Sequence, residues 1–198
     1  DLGTLTNPVA AVMEEYDLQG MRLTQFVVPE MYEHPYRGRN ITKRCWVMAG
    51  THDNQPVSMW ANSLINTHEG YLHAKNLVED LYSEAENKDD LIVKLNTDAD
   101  FLVQTKLAEL FACQAENIQI FFPDYLGMNE VYNRPGTSGD DNWCLRMPND
   151  FEKVFCDNLK SNKALNLALA LKTAIEARGS EFSAKHKGLL ERLQEIQS

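Results

Sequence analysis

The sequence predicts an α/β fold in which parallel strands are joined by helices, and three observations predict it. First, three short β-rich segments, residues 21–28, 45–49 and 118–122, are interspersed with helical stretches at 8–16, 56–65, 72–87, 97–114 and 150–197, and such alternation is the signature of a parallel sheet. Second, the middle segment, CWVMA, is apolar throughout, as a strand covered on both faces must be. Third, helical segments outnumber strands, a balance that fits part of a barrel carrying helical insertions.

The elements follow in order. Residues 8–16 read as a short helix, with Asn7 as N-cap and Pro8 at the first helical position, where its missing N–H costs nothing. MRLTQFVV over residues 21–28 is rich in β-formers and bounded by Gly20 and Pro29. Residues 29–43 are a polar loop with two prolines and a glycine. The strand at 45–49 stops at Gly50, and residues 56–65 look helical. Residues 72–87 and 97–114 read as amphipathic helices; in the second, Phe101, Leu102, Leu107, Leu110 and Phe111 recur near helical spacing. IQIFF over 118–122 is stopped by Pro123, and a long loop rich in Gly, Asn, Asp and Pro spans 124–148. Residues 150–197 make two or three helices, punctuated by Gly179-Ser180, with Ser180 as a cap.

Composition narrows the function classes. A chain of 198 residues can bury a sizeable core as one domain. Its formal net charge of −10 argues against a nucleic-acid or anionic-membrane partner, which would select a basic surface, and suits a neutral ligand such as a sugar. The most apolar run, 164–175, is too short for a membrane span and is broken by Asn166, Lys172 and Thr173. Cys45, Cys113, Cys144 and Cys156 form no CxxC pair and no metal spacing, so reduced thiols, no metal and no cofactor are expected. With no leader in view, a cytoplasmic protein is expected. The sequon Asn40-Ile41-Thr42 would matter only in a secreted chain.

Parallel barrels place their active sites at the C-terminal ends of strands. Three ends are available: Gln25-Phe26, Gly50-Thr51-His52-Asp53-Asn54 and Asp124-Tyr125. The second is the richest, because a His and an Asp leave a buried strand together. Adjacent side chains on a strand point to opposite sides, so a turn must aim both at one pocket, and Gly50 would permit it. The competing reading is a plain strand end, with Asp53 capping the next helix. His68 and His73 suggest a zinc helix at first sight, but five residues of separation turns them roughly 140° apart, and surface polar positions are expected. The loop Asn133-Arg134-Pro135-Gly136-Thr137-Ser138-Gly139-Asp140-Asp141-Asn142-Trp143 lacks a phosphate-binding lysine. Its mixture of amides, carboxylates and an aromatic ring suits sugars; equally, it reads as a turn-rich surface loop anchored by Trp143.

Taken together, these segments resemble the family 77 glycoside hydrolases, the 4-alpha-glucanotransferases. Asp1-Leu2-Gly3 is similar to the end of the family's Glu-Asp-Leu-Gly segment. Residues Gly20-Met21-Arg22-Leu23-Thr24-Gln25-Phe26, Gly50-Thr51-His52-Asp53-Asn54, and Tyr125-Leu126-Gly127 through Asn133, Pro135-Gly136-Thr137, Asn142-Trp143 and Arg146 match its further motifs in order. The resemblance covers residues 1–148, and the helices of 149–198 fit by position, packing on the barrel within the same domain.

The resemblance implies the C-terminal portion of a TIM (β/α)8 barrel, strands six to eight. It also implies transfer of α-1,4-glucan segments between malto-oligosaccharides derived from starch or glycogen, by a retaining double displacement. Asp53 then matches the carboxylate that stabilises the transition state, and His52, Asn54, Asn133, Pro135 and Trp143 match substrate-binding positions. The acid/base glutamate would stand just before Asp1 and the nucleophilic aspartate further upstream, so this chain alone is expected to be inactive and to self-associate through sheet edges made for missing strands. Gln55-Pro56-Val57, Met59-Trp60 and Cys144-Leu145 depart from the family pattern. Two other readings stand beside this one: a non-catalytic α-glucan-binding module or degenerate family member, and an α-amylase-like hydrolase.

Overall fold

The structure, a computed structural model, describes residues 6–18 and 20–197; the Asp1-Leu2-Gly3 match lies outside them. Strands β1 (Gly20–Leu23), β2 (Cys45–Met48) and β3 (Asn117–Ile118) pair in parallel in sequence order, with Gly20 opposite Cys45 and Trp46 opposite Asn117. The parallel sheet expected from the alternation is therefore present. Its strands are shorter than their β-propensity suggested. After Leu23 the chain tightens into a 3-10 turn over Thr24–Phe26, and the Gln25 N–H donates to Ala49 O at 3.0 Å instead of continuing a ladder. Beyond Ile118 only the Gln119 N–H to Val47 O bond extends the pairing, at 2.9 Å. Pro123, expected to stop a strand, lies in the first turn of helix α6 (Phe122–Leu126), a place where proline is tolerated.

In helix α1 (Asn7–Glu15) the N-cap position falls on Thr6 rather than Asn7, without a side-chain capping bond. Between β2 and β3 stand α2 (Val57–Leu64), α3 (His68–Leu81), α4 (Lys88–Thr97) and α5 (Ala99–Ala112). Helix α3 begins four residues earlier than its apolar pattern suggests, because the Thr67 hydroxyl caps it by accepting the Gly70 N–H at 2.9 Å. Helix α4 escaped the sequence pattern because, of its residues, only Leu95 is buried. Where α3 crosses the end of α2, a Cβ on Gly70 would fall 2.1 Å from Leu64 O, so the approach admits only glycine.

Helix α5 is the hub of the core. Every residue from Leu102 to Leu110 is buried, polar ones included, which is why one apolar stripe describes it poorly. Its polar groups are matched: Gln104 donates to Ala164 O and accepts from Asn166 N, and Lys106 pairs with Glu109 at 2.8 Å. His73, 2% exposed, packs edge-on against Trp60, 5.2 Å between ring centres. It is a core residue, which corrects the expectation of a surface one; burial, then the Lys106 charge, push its pKa down to about 3.

Helices α7 (Phe151–Lys160), α8 (Leu167–Glu176), α9 (Ser180–Lys185) and α10 (Lys187–Gln197) complete the chain. These are four helices where two or three were expected, and Gly179, with φ +91°, takes the cap position assigned to Ser180. Helix α8 lies against α5, and α10 against α8. No described helix is long and apolar enough to cross a membrane.

Candidate active site

The strand ends expected to carry chemistry are brought together. β2 leaves the sheet into a turn that its own side chains build. The Asn54 N–H bonds to Thr51 O at 3.0 Å, while Asn54 Oδ1 accepts from the Thr51 backbone N–H at 2.7 Å and from its hydroxyl at 3.0 Å. The Asp53 N–H reaches Thr51 Oγ1 at 3.3 Å. Gly50 contributes differently from what the sequence suggested. It is not among the residues with positive φ; it is a point of close approach, where a Cβ would meet Gln25 Oε1 at 2.9 Å and Asn54 Cβ at 3.1 Å.

The turn aims His52 and Asp53 at each other. His52 Nε2 stands 3.2 Å from Asp53 Oδ1, and both side chains are a little under half exposed. The loop after β3 completes the arrangement. The Asn133 backbone N–H donates to His52 O at 3.0 Å, and its side-chain Nδ2 donates to Asp53 Oδ1 at 2.7 Å. Asp53 thus presents an oriented carboxylate at the C-terminal end of a parallel sheet, a placement suited to stabilising positive charge developing on a bound substrate.

An aromatic wall rises beside the pair. The Trp143 ring lies 4.9 Å from the His52 ring, centre to centre, and meets Tyr132 edge-on at 5.6 Å; Tyr132 in turn contacts Phe121 and Phe122. Trp143 sits at φ +63°, a conformation uncommon for a bulky residue, and its N–H is held by Tyr132 O at 3.0 Å. It remains 53% exposed. So Trp143 pins the loop, as the anchoring reading expects, while part of its ring stays open to solvent. The rest of the loop is tied by Asn142, which accepts the Arg134 N–H at 3.0 Å and donates to Thr137 Oγ1 at 2.7 Å, and by the Arg134–Asp141 ion pair.

Two supporting residues carry roles that sequence reasoning did not assign. Asp124, 4% exposed, accepts the Val57 N–H at 2.7 Å and so caps α2, which begins just beyond the Thr51–Asn54 turn. Burial raises its pKa to about 6, partly opposed by that bond. Asp53 does not cap α2, which removes the plain strand-end reading in which it did. Gln25, buried at the end of β1, donates to Gln55 O at 3.3 Å and backs the turn from below. Tyr132 was the residue no motif pointed to; aromatic neighbours far apart in sequence were its only signal.

Among the predicted site residues, His52, Asp53, Asn133 and Trp143 converge. Asn54 spends its amide oxygen on the turn. Pro135 lies exposed in the same loop as Asn133. No group of three or more His, Cys, Asp or Glu side chains among the described residues is arranged to hold a metal ion. The four cysteines are free thiols, Cys45 and Cys113 buried, Cys144 and Cys156 exposed.

A family model described as 4-alpha-glucanotransferase matches residues 1–152. No curated protein matches the sequence. Among solved structures, the fold is similar to the amylomaltase of Streptococcus agalactiae, solved in complex with acarbose, with a TM-score of 0.61 and 18% identity over 90% of this chain. It is also similar to the amylomaltase of Corynebacterium glutamicum, with a TM-score of 0.56 and 15% identity over 96% of this chain. The chain spans 31% and 28% of those two proteins.

Proposed function

The chain belongs to the 4-alpha-glucanotransferase family, and from that premise we propose that it serves in an enzyme moving α-1,4-glucan segments between malto-oligosaccharides. In this reading β1, β2 and β3 correspond to strands six, seven and eight of a TIM barrel, with residues 149–198 packed on it as part of one domain. The acarbose complex of the S. agalactiae amylomaltase favours an α-glucan as the ligand class.

The proposed reaction is a retaining double displacement. A carboxylate nucleophile takes the donor sugar, expelling the leaving glucan, whose oxygen receives a proton from a carboxylic acid. The 4-hydroxyl of an acceptor glucan then attacks the glycosyl-enzyme and gives its proton back to that group. Each step passes through positive charge on the sugar ring. Asp53 is the residue of this chain suited to meet that charge, since its carboxylate is oriented and open to a ligand. The nucleophile and the acid/base group are to be sought outside residues 1–198, and the isolated chain is proposed to be inactive. His52 and Asn54 would hold sugar hydroxyls. Trp143 offers a ring for an apolar sugar face, and Pro135 lines the same rim.

The single observation that carries the proposal is the clasp on Asp53 by His52 and Asn133 from two different strand ends. Its test is Asp53→Asn in the full-length enzyme, assayed by glucose release from maltotriose. kcat should fall on the order of 10²-fold or more, with malto-oligosaccharide binding retained by calorimetry. A kcat within about threefold of wild type would sink the assignment of Asp53. Retained binding with no transfer by the wild-type enzyme would instead favour a glucan-binding module.

A further inference from the structure

We propose that Asn133 is a positioning residue for Asp53 rather than a sugar ligand. The inference rests on the reading of Asp53 as the charge-stabilising carboxylate and adds how that carboxylate is oriented.

One side chain and its own backbone grip two successive residues. The Asn133 N–H to His52 O bond, 3.0 Å, fixes where the loop sits on the β2 turn. The Nδ2 to Asp53 Oδ1 bond, 2.7 Å, then fixes the rotation of the carboxylate about its side chain. His52 Nε2 approaches the same oxygen at 3.2 Å. Oδ1 is therefore the anchored oxygen. Oδ2 receives no hydrogen bond from the described residues, and it is the oxygen left to face a substrate.

The grip is itself held. On one side, Tyr132 O accepts the Trp143 N–H; on the other, the Arg134 N–H is held by Asn142 Oδ1 at 3.0 Å. Residues bracketing Asn133 are thus pinned, so its amide group has little freedom to retreat. The residue type fits the task. An amide donor fixes a carboxylate without neutralising it, whereas Lys or Arg at this place would cancel the charge Asp53 has to offer. A residue whose only role was to touch sugar would not need its donor turned inward onto a carboxylate.

The test uses the full-length enzyme with maltotriose. Asn133→Ala should lower kcat by about 10- to 100-fold, with KM and the calorimetric affinity for malto-oligosaccharide within twofold of wild type. In an Asp53→Asn background the same substitution should have no further effect on the residual rate. Asn133→Asp, close in shape, sets a second carboxylate against Asp53 Oδ1. Two such groups share a proton, so the acid limb of kcat should move up by at least about one pH unit, a shift that a merely structural residue would not produce. A raised KM with kcat unchanged would make Asn133 a sugar ligand and overturn the proposal. An equal loss in the Asp53→Asn background, or an unmoved pH profile in Asn133→Asp, would overturn it too. If Asp53→Asn alone leaves kcat intact, the functional reading fails and this inference with it; if Asp53→Asn is costly and Asn133→Ala is not, only this inference fails. The near-isosteric Asn133→Asp keeps the test open should the alanine variant not fold.

Discussion

The carboxylate of Asp124 accepts the backbone N–H of Val57 at 2.7 Å, so a residue just past β3 caps the helix that follows β2. The bond ties the two strand ends that make the site, and it buries a titratable group. The folded-state pKa of Asp124 is raised to about 6 from 3.8. The folded chain therefore takes up the proton more readily than the unfolded one. The stabilisation this provides is complete below about pH 4 and is lost as pH rises through 6. Asp124→Asn keeps an acceptor for Val57 without the charge. It should raise stability at pH 8 by on the order of 2 kcal/mol and change little at pH 4, as read by urea unfolding at the two pH values. A variant destabilised at pH 8 would show that the ionised cap is itself favourable.

His73 works in the opposite sense. Burial beside Trp60 and the Lys106 charge hold its pKa near 3, against 6.5 in an unfolded chain. Its contribution to stability is full above pH 6.5 and is lost as pH falls from there toward 3. At pH 5 the loss is about 2 kcal/mol, from roughly 1.4 kcal/mol per unit between 6.5 and 5. His73→Leu should narrow the gap between melting temperatures at pH 8 and pH 5. An unchanged gap would mean that acid sensitivity lies elsewhere.

Gly50→Ala tests the packing of the β2 turn. The added methyl meets Gln25 Oε1 and the Asn54 Cβ, so the Thr51–Asn54 turn must shift by a few tenths of an ångström. The expected outcome is a kcat lower by about tenfold in the full-length enzyme, with stability reduced by under about 1 kcal/mol. Full activity would show that the turn tolerates the displacement.

Residues 1–198 alone should self-associate. Val9, Val12, Tyr16, Phe26, Val28 and Trp46 are large apolar residues left exposed on or near the first two strands and α1, and apolar surface of this kind favours association. Light scattering over a concentration series checks this, and a strictly monomeric chain at high concentration would refute it.

Parallel strands and most helices could be read from the sequence because β-rich runs and apolar spacing are local signals. Strand length could not, since the turn at Thr24–Phe26 is set by Gln25 pairing with Ala49. Helix α5 was legible as a helix but not as a hub, because burial on all sides erases the single stripe of a half-buried helix. His73 was missed for another reason: it shares the buried face of α3 with Ala74, Leu77 and Leu81, and its polar type masked that spacing. His52, Asp53, Asn133 and Trp143 were legible through motif resemblance, as spacing alone does not say that two loops meet. The roles of Asp124 and Tyr132 were not, because a cap supplied from 67 residues away leaves no local trace.

Asn133 and Asp53 are separated by 80 residues, and α2 to α5 lie between them. Closing a loop of that length is entropically unfavourable until the intervening chain has collapsed. The clasp on Asp53 is therefore expected to form late in folding, and Trp143, which joins the same loop to His52, should be the last tryptophan to reach its native emission in refolding; earlier recovery of the Trp143 signal than of Trp60 would refute this. On that expectation the orientation of one side chain would act as a completion signal, Asp53 becoming aligned only once the helices between β2 and β3 have packed.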